Sequence, residues 1–249
     1  QTLGTNYAMG WSGEAYQQAN VATGAALALT FGVMRLVNLA HGDFLIFAAY
    51  VGTVILSLVP ISPFYTLILV VPVMFAVGYG LQRFLLNRVS VQAMEQKGMS
   101  SNFGLMSPIL VTFGTSIVVS HALLWVFSSD TTSIKNSLSY SAIRLSQDLS
   151  VSTLRLIFFC LAVAILLFVH LFLSHTHTGR AIRAASDDAE VAPLMGIVTD
   201  RVYAVATGIS LAIAGVAGVM IGMSRPFQPF DGPQFLLIAF GVVIIGGLG

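Results

Sequence analysis

The feature that most constrains this chain is a succession of apolar runs, each about 20 residues long, at 17–36, 40–59, 64–86, 106–127, 153–174, 200–223 and 234–249. A run of that length crosses the hydrocarbon core of a bilayer as a helix, because the core offers no water to satisfy an unpaired backbone. The pattern predicts an all-α polytopic membrane protein with about seven transmembrane helices, the last incomplete, in a single transmembrane domain over 1–249. Of its residues 56% are hydrophobic and only 8% charged, where a soluble domain carries roughly 25% charge. A formal net charge of +1, with no basic run longer than two residues, excludes electrostatic binding of nucleic acid. The one cysteine, Cys160, lies inside an apolar run and has no partner for an intrachain disulfide.

Two of the junctions between runs are polar where a plain loop does not fit. Arg35-Leu36-Val37-Asn38-Leu39-Ala40-His41-Gly42-Asp43 is too short for a surface loop and reads as a broken helix. Asn38 caps the second helix in this reading, and Gly42 lets another backbone come close. Irregular backbone at membrane depth survives only where protein buries it or water lines it, so Asn38, His41, Gly42 and Asp43 are candidates for a translocation path. The alternative is that they cap the helix at the interface. The second junction, Ser224 to Pro233, holds three of the eight prolines and cannot be continuous helix. A weak repeat relates the two: Gly32-Val33-Met34, a break, Gly42 and Phe44 recur as Gly218-Val219-Met220, a break, Gly232 and Phe235. The expected arrangement is an inverted repeat with the first break facing inside and the second outside. In the sixth run Ala214, Gly218 and Gly222 recur every four residues, a spacing for close packing against a neighbour in this chain or in a second subunit.

The longest charged island is TGRAIRAASDDAEVAPLMGIVTDR, from Thr178 to Arg201. Apolar runs flank it, so it is an aqueous loop. Thr178 caps a short helix carrying Arg180, Arg183 and Asp187 at helical spacing, and Pro193 ends or kinks that helix. With this loop inside, 87–105 is also inside, while 128–152 and 224–233 are outside. Arginine and lysine are then enriched on the inner side. The stretch Ser128 to Ser152 is the long outer loop, and its alternation around Leu138-Ser139-Tyr140-Ser141 predicts a small hairpin.

Three ordered motifs, FGVMRLVNLAHGDF at Phe31 to Phe44, GRAIRAASDDAEVAPLMGI with the following span, and the closing IIGGLG at Ile244 to Gly249, resemble the branched-chain amino acid class of ABC-importer permeases, with its urea and amide relatives. The resemblance implies a cytoplasmic coupling loop over 178–197 that sits on an ATPase subunit, with Arg180, Arg183, Asp187, Asp188, Glu190, Leu194 and Gly196 as its contact residues. It implies a second permease subunit, two ATP-binding cassette ATPase subunits, an extracytoplasmic solute-binding protein, and residence in the bacterial inner membrane among lipid. It also implies further helix beyond Gly249. Glu14, Gln17, Gln18 and Asn20 depart from the family pattern, which leaves the start of the first helix open.

The chain itself is not expected to be an enzyme. Its two lysines, Lys97 and Lys135, do not fit a phosphate-binding loop, so ATP and magnesium belong to the partner subunits. His175 and His177 lack a third ligand, and no metal or other cofactor is expected. The function implied is ATP-driven alternating access for branched-chain amino acids or small polar solutes such as urea and amides. The competing class is a stand-alone secondary transporter or channel, which calls for ionisable residues deep in several spans, where Asp43 and isolated histidines are the candidates.

Overall fold

The computed structural model describes residues 21–29, 32, 38–59, 62–89, 103–135, 142–144, 150–188 and 191–246. The polar start of the first run, Arg35, Lys97, the expected hairpin residues Leu138 to Ser141, Glu190 and the terminal Gly247 to Gly249 lie outside the described residues. Helix α1 covers 21–29, followed by α2 (His41–Leu58) and α3 (Pro63–Gly80), which continues through a π-helical stretch at Leu81–Leu86. Then come α4 (Phe103–Phe127), a ribbon of β1 (Ala142–Arg144) and β2 (Ser150–Ser152), and α5 (Thr153–His175). The short α6 (His177–Asp187) and a 3-10 turn (Ala192–Met195) lead into α7 (Thr199–Ser224) and α8 (Gly232–Gly246). Five of these stretches, α2, α3 extended to Val89, Ser107–Phe127 within α4, α5 and α7, are long and apolar enough to cross a membrane.

The sequence of α7 explains why it becomes the central pillar. Of its 26 residues 11 are alanine, glycine or serine, and 89% of its apolar window is buried, against 17% for α4 and α5. Lipid tails are as apolar as leucine, so helices in a bilayer associate through close packing rather than by escaping water, and small residues permit that approach. Both α3 and α2 lie along α7. The small-residue row Ala214, Gly218 and Gly222 is buried inside this chain: Gly218 faces Leu45 and Ala48 of α2, and Gly222 faces Ile134 and Phe227. Its partner is therefore internal. A polar contact reinforces the α3 to α7 seam, where the Thr207 hydroxyl donates to Gln82 Oε1 at 3.0 Å and Gln82 Nε2 donates to Asn87 Oδ1 at 2.8 Å. By contrast α5 packs chiefly on α6, and an apolar cavity of about 710 Å³ separates it from α3 and α7.

Irregular segments close one end of the bundle. Thr132 and Phe227 exchange backbone hydrogen bonds of 3.0 and 2.9 Å, and Ile134 N donates to Gly222 O at 2.8 Å. Tyr50 stacks on Phe127 at 4.4 Å between ring centres and meets Phe227 edge-on at 4.9 Å. The described ribbon pairs Ile143 with Val151, a few residues beyond the stretch where alternation predicts a hairpin.

Adding a methyl group at Gly218 forces it against the Leu45 carbonyl and to 3.2 Å from the Ala48 β-carbon. Overpacking of this kind costs about 1–3 kcal/mol. Gly218→Ala should therefore lower the thermal unfolding midpoint of the detergent-purified protein. An unchanged midpoint would contradict the packing described.

Candidate functional site

The first polar break folds into the interior. Asn38 Oδ1 accepts from Ala40 N at 3.1 Å and Asn38 O accepts from His41 N at 3.2 Å, a local turn that starts α2. Asn38 thus shapes the entry to the helix, while the N-cap position itself is Ala40. Asn38, His41, Gly42 and Asp43 are all buried, and the His41 ring lies beside the Thr23 backbone of α1. Asn38 Nδ2 has no hydrogen-bond acceptor among the described residues.

Asp43 is held by a neighbouring span. Ser116 Oγ donates to its Oδ2 at 2.5 Å and Ser120 Oγ to its Oδ1 at 2.8 Å. The serines are four residues apart, so they project from one face of α4. Ser116 stands near the middle of Phe103–Phe127, which puts Asp43 well inside the bundle rather than at its end. Paired hydroxyl donors are what a carboxyl group needs to remain buried, since an unsatisfied one costs several times the net worth of a hydrogen bond.

The two breaks meet inside the bundle. A β-carbon on Gly42 would overlap the Gly232 carbonyl oxygen and lie 3.1 Å from Leu236 N, and one on Gly232 would overlap the Asp43 carboxyl. The physical reason is that α2 begins deep in the bundle and glycine at both positions removes the side chains that would hold the backbones apart. Of the repeat, Val33 and Met34 lie outside the described residues, while Gly42 and Gly232, its paired glycines, form the contact itself.

The second candidate region is the loop between α5 and α7. Its helix begins earlier than expected. The cap is Thr176 rather than Thr178, with Thr176 Oγ1 accepting from Gly179 N at 2.9 Å. It also stops before Pro193 exerts any effect: α6 ends at Asp187, Asp188 Oδ1 accepts from Val191 N at 3.0 Å, and Pro193 sits inside the 3-10 turn. Gly179, Ile182 and Ala185 form the buried stripe of α6, and Ser186 Oγ donates to the Gly32 carbonyl after α1. Arg180, Arg183, Asp187 and Asp188 are exposed on the other side, with Arg180 3.1 Å from His177 Nδ1. Beside them Leu194 and Met195 are 83% and 79% exposed. Gly196 follows with φ of +79°, a left-handed turn that suits glycine and directs the chain into α7. Glu190 lies outside the described residues.

Sequence reasoning missed Ser116, Ser120 and the Gln82 to Thr207 contact. Isolated serine, threonine and glutamine in apolar runs give no periodic signal. The four-residue spacing of the two serines was the available clue, and it points to a partner only once Asp43 is known to face them.

These features define a multi-pass membrane protein with a buried polar junction and a partly apolar surface presented by a loop helix. The chain belongs to the family described as branched-chain amino acid transport system / permease component, whose model matches residues 21–249. It is 26% identical over 265 residues to the high-affinity branched-chain amino acid transport system permease protein LivH of Salmonella typhimurium strain LT2, covering 100% of this chain and 77% of that relative. It is 23% identical over 233 residues to BraD, the corresponding permease protein of Pseudomonas aeruginosa PAO1, covering 89% and 72% of the two chains. A probable LivH branched-chain amino acid permease of Methanocaldococcus jannaschii is 26% identical over 239 residues, covering 94% and 71%. No solved structure matches the chain.

The Ser116→Ala, Ser120→Ala double variant leaves the Asp43 carboxyl buried without either donor, at a cost of about 1–3 kcal/mol. Its thermal midpoint in detergent should fall, and adding Asp43→Ala should recover part of the loss because the stranded group is then gone. Strictly additive losses would contradict the clamp.

Proposed function

We propose that this chain is the permease subunit of an ABC importer that moves branched-chain amino acids, or related small polar solutes such as urea and amides, by ATP-driven alternating access. It sits in the plasma membrane, pairs with a second permease subunit, receives solute from an extracytoplasmic binding protein, and is driven by two ATPase subunits. ATP and magnesium bind in those subunits. Membership of the transport family supports the reading.

The observation that carries it is the loop surface. Leu194 and Met195 stand almost fully exposed on an aqueous segment, next to the charged outer face of α6. Large apolar side chains in water mark a surface made to be covered. A helix bearing both signs of charge beside an apolar knob suits a shallow groove on a soluble protein. In this account Arg180, Arg183, Asp187, Asp188, Glu190, Leu194 and Gly196 meet the ATPase. Because α6 is tied to the end of α1 through Ser186 and packs on α7, motion of the motor reaches the bundle as a rigid displacement.

The solute passes the junction of the two breaks. Asp43 offers a carboxyl to an ammonium or amide group, Asn38 contributes its buried amide, and Gly42 in the first turn of α2 presents its backbone to a carboxylate. Reorientation of α2 against α8 opens this junction.

The test is co-purification from membranes that also express the ATPase partner. Arg183→Glu combined with Asp187→Lys should abolish stoichiometric ATPase while the permease still inserts and retains its thermal midpoint. If the wild-type protein binds no ATPase and transports solute in response to an ion gradient, the importer reading fails and the secondary-transporter reading replaces it.

A further inference from the structure

A second polar site lies at the α6 end of the bundle, away from both regions above. Where α3 unwinds into its π-helical stretch and α7 begins, Tyr79, Arg83, Asn87, Arg88, Asp200 and Arg201 surround a cleft of about 520 Å³. That volume is in the range of small-ligand sites, roughly 300–1,000 Å³. The cleft holds three guanidiniums against one carboxyl, and among the described residues none of the three forms an ion pair. Side-chain contacts order the surroundings of two of them. Arg83 Nη1 donates to the Tyr79 hydroxyl at 3.0 Å, and its guanidinium lies 6.0 Å from the Tyr79 ring centre. Asn87 Nδ2 donates to Asp200 O at 3.2 Å, which fixes the turn carrying Arg88 against the start of α7. The π-helical stretch matters here because one extra residue per turn rotates Arg83 and Arg88 out of the register of a regular helix.

The surroundings specify the ligand further. Val198 lines the cleft, and Phe84 and Leu85, next to Arg83 in the π-helical stretch, are exposed large apolar residues. Both helices that wall it are long and apolar enough to cross a membrane, and the cleft sits toward their ends, the level at which a spanning helix meets lipid headgroups. Guanidiniums bind phosphate through forked hydrogen bonds, and basic pockets between spans on the inner side are suited to anionic lipid headgroups. We infer that the cleft lined by Arg83, Arg88 and Arg201 binds the phosphate of an anionic phospholipid, whose acyl chains lie against Phe84 and Leu85. A lipid held there would clamp the end of α3 to the start of α7, the joint through which the loop's motion enters the bundle.

The test uses the full chain in nanodiscs of equal phosphatidylglycerol and phosphatidylcholine, with retained lipid counted by native mass spectrometry. Phosphatidylglycerol should be retained over phosphatidylcholine by about tenfold. Arg83→Gln with Arg201→Gln should bring the ratio close to one, whereas Arg183→Gln, an exposed arginine of α6 at the same end, should leave it unchanged. A ratio near one in the wild type would overturn the proposal, as would enrichment that survives the double variant. If millimolar inorganic phosphate displaces the lipid and is retained in its place, the site serves a free anion and the lipid assignment falls. If the double variant keeps its lipid ratio but loses the ATPase, the cleft belongs to the motor interface.

Discussion

Close approach along α7 is the constraint on which the rest of this structure depends. In a bilayer a helix gains nothing by turning leucines toward another helix, so the pillar's small residues substitute packing for hydrophobic drive. Its glycines and alanines admit α2 at Leu45 and Ala48 and α3 along its length, and the irregular segments after α4 and α7 seal the same helix at Gly222. Polar contacts add direction where packing alone permits sliding. Gln82 with Thr207, and Ser210 with the Ala26 carbonyl at 2.5 Å, fix α3 and α1 in register against the pillar.

The same closeness makes the polar break tolerable. Asp43 and the start of α2 would be costly in hydrocarbon, but protein surrounds them: two serine hydroxyls satisfy the carboxyl, and the Gly232 backbone covers it. A buried, hydrogen-bonded carboxyl thus lies at the meeting of two interrupted helices, and in the function proposed above a shift of α2 against α8 exposes it. In the proposed function this arrangement connects the fold to transport, because a polar solute needs a polar route through the bundle.

Much of this was legible in the residues, and the failures are instructive. Apolar run length located the five long apolar helices α2, α3, α4, α5 and α7, and the shorter α8, to within a few residues, since burial of backbone in lipid leaves no alternative to helix. The close approach at Gly42 was readable because glycine is tolerant of geometries other residues resist. The cap of α6 was misplaced by two residues because Thr176 and Thr178 offer the same chemistry, and only the angle at which the chain leaves α5 selects the first. The contact between the two breaks was not legible in the residues. Counting spans assigns each junction to a side and says nothing of how it folds, and here the start of α2 meets the start of α8 inside the bundle. The serine clamp and the arginine cleft join residues from separate helices, and such juxtapositions are set by packing rather than by spacing along one element.

The central claim, that the buried junction is the transport route and opens under control of the motor, is tested most directly by cysteine accessibility at Asn38. The exposed Cys160 is first replaced by serine, and Asn38→Cys is introduced into the permease reconstituted with its ATPase and second subunit. A membrane-impermeant maleimide should fail to label the buried position in the nucleotide-free state and should label it once ATP and vanadate trap the motor closed. Labelling that stays absent in every nucleotide state, in a preparation that transports solute, would contradict the account and reduce the junction to a packed core.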